Sequence, residues 1–246
     1  MSIFDRLCYN SDSVMIPLRD TVRPTSIPLI NITLIILNVL VFFYELSLGN
    51  NLNQFIFHYG LIPSSLIYSE NLGILERLIP FLTSMFLHGG LFHLIGNMLF
   101  LYIFGDNVED RMGHFKYLMF YLLSGFFAAL FQTITNIHSA IPMVGASGAI
   151  SGVLGAYITF FPRSRILTLV PIFFFIQLIH IPAAIFIFIW FIIQFISGVS
   201  TFAVSEDTGG IAFWAHIGGF IGGLILARFF QKKGYVQVDR LSKYYH

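Results

Sequence analysis

The chain has 246 residues, of which 57% are hydrophobic, 17% aromatic and only 10% charged, with a formal net charge of +1. A mean hydropathy of +0.81 is far more apolar than a water-soluble domain tolerates, and the near-neutral charge excludes the basic footprint that nucleic acid requires. The solvent these residues suit is lipid, so membrane lipids are the first partner that the composition predicts.

Residues 1–26 are fairly polar, carry Arg6, Arg19 and Arg23, and read as an N-terminal tail. They hold the single cysteine, Cys8, so neither a disulfide framework nor a cysteine zinc site is expected. The apolar stretch that follows is too long and starts too late for a cleavable signal, and Ser26 with Pro28 marks a helix start. Apolar runs fit to cross roughly 30 Å of hydrocarbon at about 1.5 Å per residue fall at 27–48, 90–105, 115–134, 147–161, 182–198 and 213–230, two of them short. Between the first two, residues 49–89 mix apolar stretches with Pro63, Glu70, Glu76, Arg77 and Pro80. That segment is too broken to span but apolar enough to lie in the interface and pack on the outer half of a bundle. Residues 166–181, interrupted by Pro171 and ended by Pro182, read either as a re-entrant or interfacial stretch or as an early start of the fifth helix.

The expected fold is therefore all-α: a polytopic bundle of six transmembrane helices, with one membrane domain at 27–230 between tails at 1–26 and 231–246. Lys and Arg are retained on the cytoplasmic side. With the N-terminus inside, only Arg77 of the 13 Lys and Arg residues falls outside, which places both tails in the cytoplasm.

The chemistry concentrates in Gly145-Ala146-Ser147-Gly148, which opens a helix with Gly148, Gly152 and Gly155 on one nearly bare face. The last span, Ala215-His216-Ile217-Gly218-Gly219-Phe220-Ile221-Gly222-Gly223, carries a doubled small-residue face with a histidine one turn before it. Close packing of these two helices would bring a hydroxyl to an imidazole, as a serine nucleophile and its general base require. Ser147 precedes Arg163 by 16 residues, His216 precedes Lys232 by 16, and His93 precedes Glu109 by 16. At about 24 Å of helix, all three lie at one level, below the outer surface but within reach of water. His93 and Asn97 share a face of the second span and, with the Ser147 backbone N–H, are suited to hydrogen-bond the oxyanion of an acyl-transfer intermediate. The predicted centre is a Ser–His dyad without an orienting carboxylate. Taken singly, Ser147 reads first as a packing serine, and His216 equally as a proton relay or a packing donor. It is the equal depth and the facing glycines that argue for chemistry. His88 reads as a loop-pinning residue, and Glu109 with Arg111 as a structural pair. A zinc site on His88, His93 and His216 lacks a carboxylate and a His-Glu-x-x-His spacing, so neither metal nor cofactor is expected.

Together these motifs resemble the rhomboid family of intramembrane serine proteases, of bacterial type: Gly-Ala-Ser-Gly at Ser147, His-x-x-x-Asn at His93 and Asn97, and Ala-His at His216 followed by spaced glycines. Asn107-Val108-Glu109-Asp110-Arg111 adds to the likeness, which extends from about Met15 to Arg228. The resemblance implies cleavage of transmembrane segments of other membrane proteins near their outer ends, without metal or cofactor, in a bacterial inner membrane. It implies Ser147 and His216 as catalytic residues, His93, Asn97 and Gly145 around the oxyanion, and lateral entry past the fifth helix and the loop at 199–213. Two positions depart from the pattern: Glu76-Arg77 stands where the family has a Trp-Arg pair, and Ser151 where some members carry an aromatic partner for the histidine. A non-catalytic rhomboid-like module that binds membrane helices is the alternative, and a small transporter a third reading.

Overall fold

A computed structural model describes residues 15–172, 175–203, 212–232 and 238–239. The chain enters through two short strands, β1 (Ile16–Asp20) and β2 (Val22–Arg23), and then forms the long helix α1 (Leu29–Ser47). A single 3₁₀ turn at Gly49–Asn51 leads into three short helices, α2 (Leu52–Tyr59), α3 (Pro63–Tyr68) and α4 (Ile74–Thr83). Two 22-residue helices follow, α5 (Leu91–Met112) and α6 (His114–Thr135), then the short α7 (Ser147–Phe160). A hairpin of β3 (Arg165–Ile172) and β4 (Phe175–Pro182) precedes α8 (Ala183–Ala203) and α9 (Phe213–Phe230), and β5 (Val238–Asp239) pairs with β2. Four helices, α1, α5, α6 and α9, are long and apolar enough to cross a membrane, and Ser147–Phe160 and Ala183–Val199 are shorter apolar helices.

The helices turn the soluble-protein pattern inside out. In α1 the buried stripe is Asn31, Leu34, Asn38, Phe42 and Glu45, whereas Ile32, Ile36, Leu40 and Phe43 are exposed. Such an arrangement is stable where the outer solvent is hydrocarbon, because polar groups then find partners only inside the bundle. Asn31 does so by donating from Nδ2 to the Leu101 carbonyl and accepting from the Tyr117 hydroxyl.

The centre of the bundle is α7, buried continuously from Gly148 to Tyr157. Its neighbours approach at backbone distance. A methyl group added to Gly219 would collide with the Gly148 carbonyl oxygen, and one on Gly223 with that of Gly152. The other glycine of each pair serves a second partner, since Gly218 and Gly222 face Phe131 and Phe127 of α6. Doubling the glycines thus lets one helix sit close to two others.

One end of the bundle is tied by carboxylates. Asp110 accepts from the backbone N–H and hydroxyl of both Thr25 and Ser26. Glu109 accepts from the N–H groups of Ile30 and Asn31 at the start of α1, where an anion complements the helix dipole, and meets His114 Nδ1 at 2.5 Å. Glu109 therefore pairs with His114 and α1, not with Arg111 as its spacing suggested; the Arg111 guanidinium lies over the Phe160 ring and reaches Gln231.

Two regions differ from the sequence expectation. Residues 166–172 and 175–181 are not an early start of the fifth helix but belong to the antiparallel β3–β4 hairpin, with β1 added in the order β1-β3-β4. The fold is thus helical with two small sheets, β1-β3-β4 and the β2–β5 pair, not purely α. Ile166 and Thr168 are fully buried while Arg165 is exposed, a period-two pattern concealed by the nearly unbroken apolar character of the run. Within the stretch read as the N-terminal tail, Ile16–Asp20 is built onto the domain as β1, and Asp20 accepts from Asn107 and Tyr157. Cys8 lies outside the described residues, as do most of the 231–246 tail and residues 204–211 of the loop ahead of α9.

Candidate active site

Ser147 is the first residue of α7, and the segment ahead of it is held by three backbone bonds: Leu61 and Met143 exchange N–H donors, and the Gly145 N–H donates to the Ser84 carbonyl. Gly145 has φ +122, a backbone region that L side chains rarely adopt. A Cβ there would stand 2.8 Å from His93 Nε2 and 3.6 Å from Asn97 Nδ2. The glycine therefore keeps open the small space between the start of α7 and the polar face of α5.

His216, on the first turn of α9 and only 7% exposed, places Nε2 at 2.8 Å from the Ser147 hydroxyl oxygen. Its other nitrogen, Nδ1, lies 2.7 Å from Gln194 Oε1. A carbonyl oxygen has no hydrogen to give, so Nδ1 carries the ring proton and Nε2 presents a lone pair to the serine O–H. This is the tautomer a general base must have. The His216 ring is flanked by Trp190 of α8, with centroids 5.9 Å apart at 36°, and by Phe213 at 6.4 Å, edge on.

The α5 side is ordered by a similar chain of proton assignments. The Gly89 N–H donates to His93 Nδ1, so the proton of this ring sits on Nε2, the nitrogen that faces Gly145. His88 donates from Nδ1 to the Phe86 carbonyl and accepts at Nε2 from Asn97 Nδ2, 3.1 Å away. Its backbone N–H donates to Glu45, buried near the end of α1. Burial, followed by the charge of nearby His93, pushes the His88 imidazole from the ordinary 6.5 down to about 3, so it stays neutral near pH 7. His88 thus pins the loop, as its position suggested, and also orients Asn97.

The structure accordingly brings Ser147 and His216 into contact and gathers His93, Asn97 and Gly145 beside one another. Sequence reasoning missed Gln194, Trp190 and Glu45. Gln194 and Trp190 are four residues apart on an apolar helix and so share a face. That spacing, with the only amide in the run, is the signal that was available. The two departures also find their place: Arg77 donates to the carbonyls of Leu66, Ser69 and Leu72, tying α3 to α4. Ser151 back-bonds to the Ser147 carbonyl at 2.6 Å, and the aromatic neighbour of His216 comes from α8 instead. Among the described residues no cluster of His, Cys, Asp or Glu is arranged to hold a metal ion.

Apolar helices with their polar groups turned inward define a multi-pass integral membrane protein. Comparison with known proteins narrows the class: the Rhomboid domain matches residues 75–233, and the chain belongs to the rhomboid family. Among its relatives, Rhomboid protease GluP of Bacillus subtilis (strain 168) is 33% identical over 197 residues, covering 78% of this chain and 33% of that protein. Rhomboid protease AarA of Providencia stuartii is 30% identical over 145 residues, 53% of this chain and 50% of the relative. RHOMBOID-like protein 6, mitochondrial, of Arabidopsis thaliana is 37% identical over 78 residues, 32% of this chain and 25% of the relative. The chain thus spans between a quarter and a half of the length of these relatives.

Proposed function

We propose that this protein is an intramembrane serine endopeptidase that cleaves transmembrane segments of other membrane proteins, with Ser147 as nucleophile and His216 as general base. The observation that carries the reading is the 2.8 Å contact between Ser147 Oγ and a His216 Nε2 whose lone pair is set free by the Nδ1–H bond to Gln194. In the acylation step Oγ attacks the scissile carbonyl carbon while its proton passes to Nε2. The carbonyl oxygen becomes an oxyanion beside Gly145, where the Ser147 N–H, His93 Nε2–H and the Asn97 amide supply donors. Collapse breaks the C–N bond and returns the proton from Nε2 to the leaving amine. Water, deprotonated by the same nitrogen, then hydrolyses the ester. No step calls on a metal or cofactor.

In this reading α1, α5, α6, α7, α8 and α9 all span the bilayer, with the membrane domain at 27–230, β1 of the preceding segment packed onto it, and residues 1–26 and 231–246 on the cytoplasmic face of a bacterial inner membrane. The shortness of α7 recesses Ser147 beneath the outer leaflet. A helical peptide bond is shielded by its own hydrogen bonds, so the substrate must unwind locally, and weak helix formers at the cleavage site are favoured.

The test is labelling of detergent-solubilised protein with a serine-directed fluorophosphonate. Labelling of the wild type that disappears in Ser147→Ala and in His216→Ala supports the protease. Labelling indifferent to Ser147 removes that role, and a wild type that takes no label favours a non-catalytic module that binds membrane helices.

A further inference from the structure

The dyad read from the motifs has no carboxylate to orient its histidine, and the bare imidazole would be free to exchange tautomers. Gln194 fills that place. It lies on α8, whose inward side runs through Ala183, Phe186, Ile187 and Trp190, with Ile185, Phe188, Ile193 and Phe195 facing outward. One turn separates Trp190 from Gln194, so α8 presents to one imidazole both a ring at 5.9 Å and an amide oxygen at 2.7 Å. An amide on a half-buried position of an apolar helix is unfavourable in hydrocarbon unless its hydrogen-bonding groups are used. Here the carbonyl oxygen is used on the one nitrogen whose protonation state decides whether Nε2 can accept the serine proton.

Resting on the Ser147–His216 reading above, we infer that Gln194 is a positioning residue completing a Ser147–His216–Gln194 relay, in which the amide oxygen holds His216 in its Nδ1–H tautomer. The role differs from that of a triad aspartate in one physical respect. A neutral amide orients the ring without the full stabilisation that an anion gives the imidazolium, so His216 stays a weaker base and less of it is protonated at a given pH. Replacing the amide by a carboxylate therefore keeps the orientation but changes the proton affinity, whereas an apolar residue removes the orientation.

The test is the rate of fluorophosphonate labelling as a function of pH on the full chain in detergent, for wild type, Gln194→Leu, Gln194→Glu and Ser147→Ala. Gln194→Leu is expected to slow labelling about tenfold. Gln194→Glu is expected to label near the wild-type rate at high pH, with the acid limb of its profile moved to higher pH, a displacement that requires residue 194 to touch the imidazole that limits the reaction. Gln194→Leu at the wild-type rate, or Gln194→Glu with an unmoved acid limb, overturns the inference. If Gln194→Leu does not fold, the acid limb of Gln194→Glu decides alone. Labelling lost in Ser147→Ala but unchanged in both Gln194 variants overturns the positioning role only. Labelling that survives Ser147→Ala overturns the dyad and this inference with it.

Discussion

At the scale of single residues the site is governed by where protons are allowed to sit. His93, His88 and His216 each have one ring nitrogen committed to a backbone or amide partner, which leaves the other defined as donor or acceptor. Asn97 is the residue whose removal tests the oxyanion assignment most directly. Asn97→Ala is expected to lower the fluorophosphonate labelling rate by about a hundredfold while the protein keeps its size-exclusion profile; an unchanged rate removes Asn97 from that role. His88 makes a pH prediction. An unfolded chain binds a proton on this ring near 6.5, whereas the folded protein refuses it down to about 3. Between those values the unfolded state holds more protons, so the folded state loses relative stability as pH falls through the window. Thermal unfolding midpoints of wild type should drop from pH 7 to pH 4 more steeply than those of His88→Gln; parallel curves would mean that His88 carries none of the effect.

At the scale of elements, the decisive contact is between α7 and α9, where two helix backbones meet with no side chain between them. Gly219→Val places its first carbon against the Gly148 carbonyl oxygen, and because backbone cannot rotate away, the helices must separate. The expected loss is about 1–3 kcal/mol, read as a lower unfolding midpoint, together with loss of labelling as His216 withdraws from Ser147. Gly96→Ala is the control, since an added Cβ there meets nothing within 4 Å and alanine is the better helix former; its midpoint should hold or rise. Both spaced-glycine faces were readable in the sequence, because small residues at four-residue intervals mark a close-packed seam wherever they occur. The β3–β4 hairpin was not. An apolar run of that length suits a buried strand and a buried helix alike, and the β1 strand that completes the sheet comes from the far end of the chain.

At the scale of the whole molecule, one end of the bundle gathers the start of α1 and the end of α5 through Glu109 and Asp110, and joins the segment after α9 to α5 through the Lys232 N–H and the Arg111 carbonyl. The alternation of helix directions that this requires agrees with the basic residues, and it leads to a topology prediction. In a Cys8→Ser background, Arg163→Cys should react with a membrane-impermeant maleimide only in inverted vesicles, and Glu70→Cys only from the outside of intact cells. The reverse pattern would invert the proposed orientation and put Ser147 near the wrong leaflet.

Hydropathy, charge placement and glycine spacing determined from the sequence alone that the solvent is lipid, where the helices fall to within a few residues for most of them, and that Ser147 and His216 stand on facing helices. These are properties of local runs, and a membrane makes them legible because apolar length and residue size act there without competition from a polar surface. Only the tertiary structure decided that Gln194 and Trp190 attend the imidazole, that Glu45 and His88 stand behind Asn97, that Glu109 serves α1 instead of Arg111, and that 166–172 pairs with 175–181 as a hairpin. Each of those depends on a single polar group or strand edge finding one partner among many that its spacing equally permits, and that choice is made by packing in three dimensions.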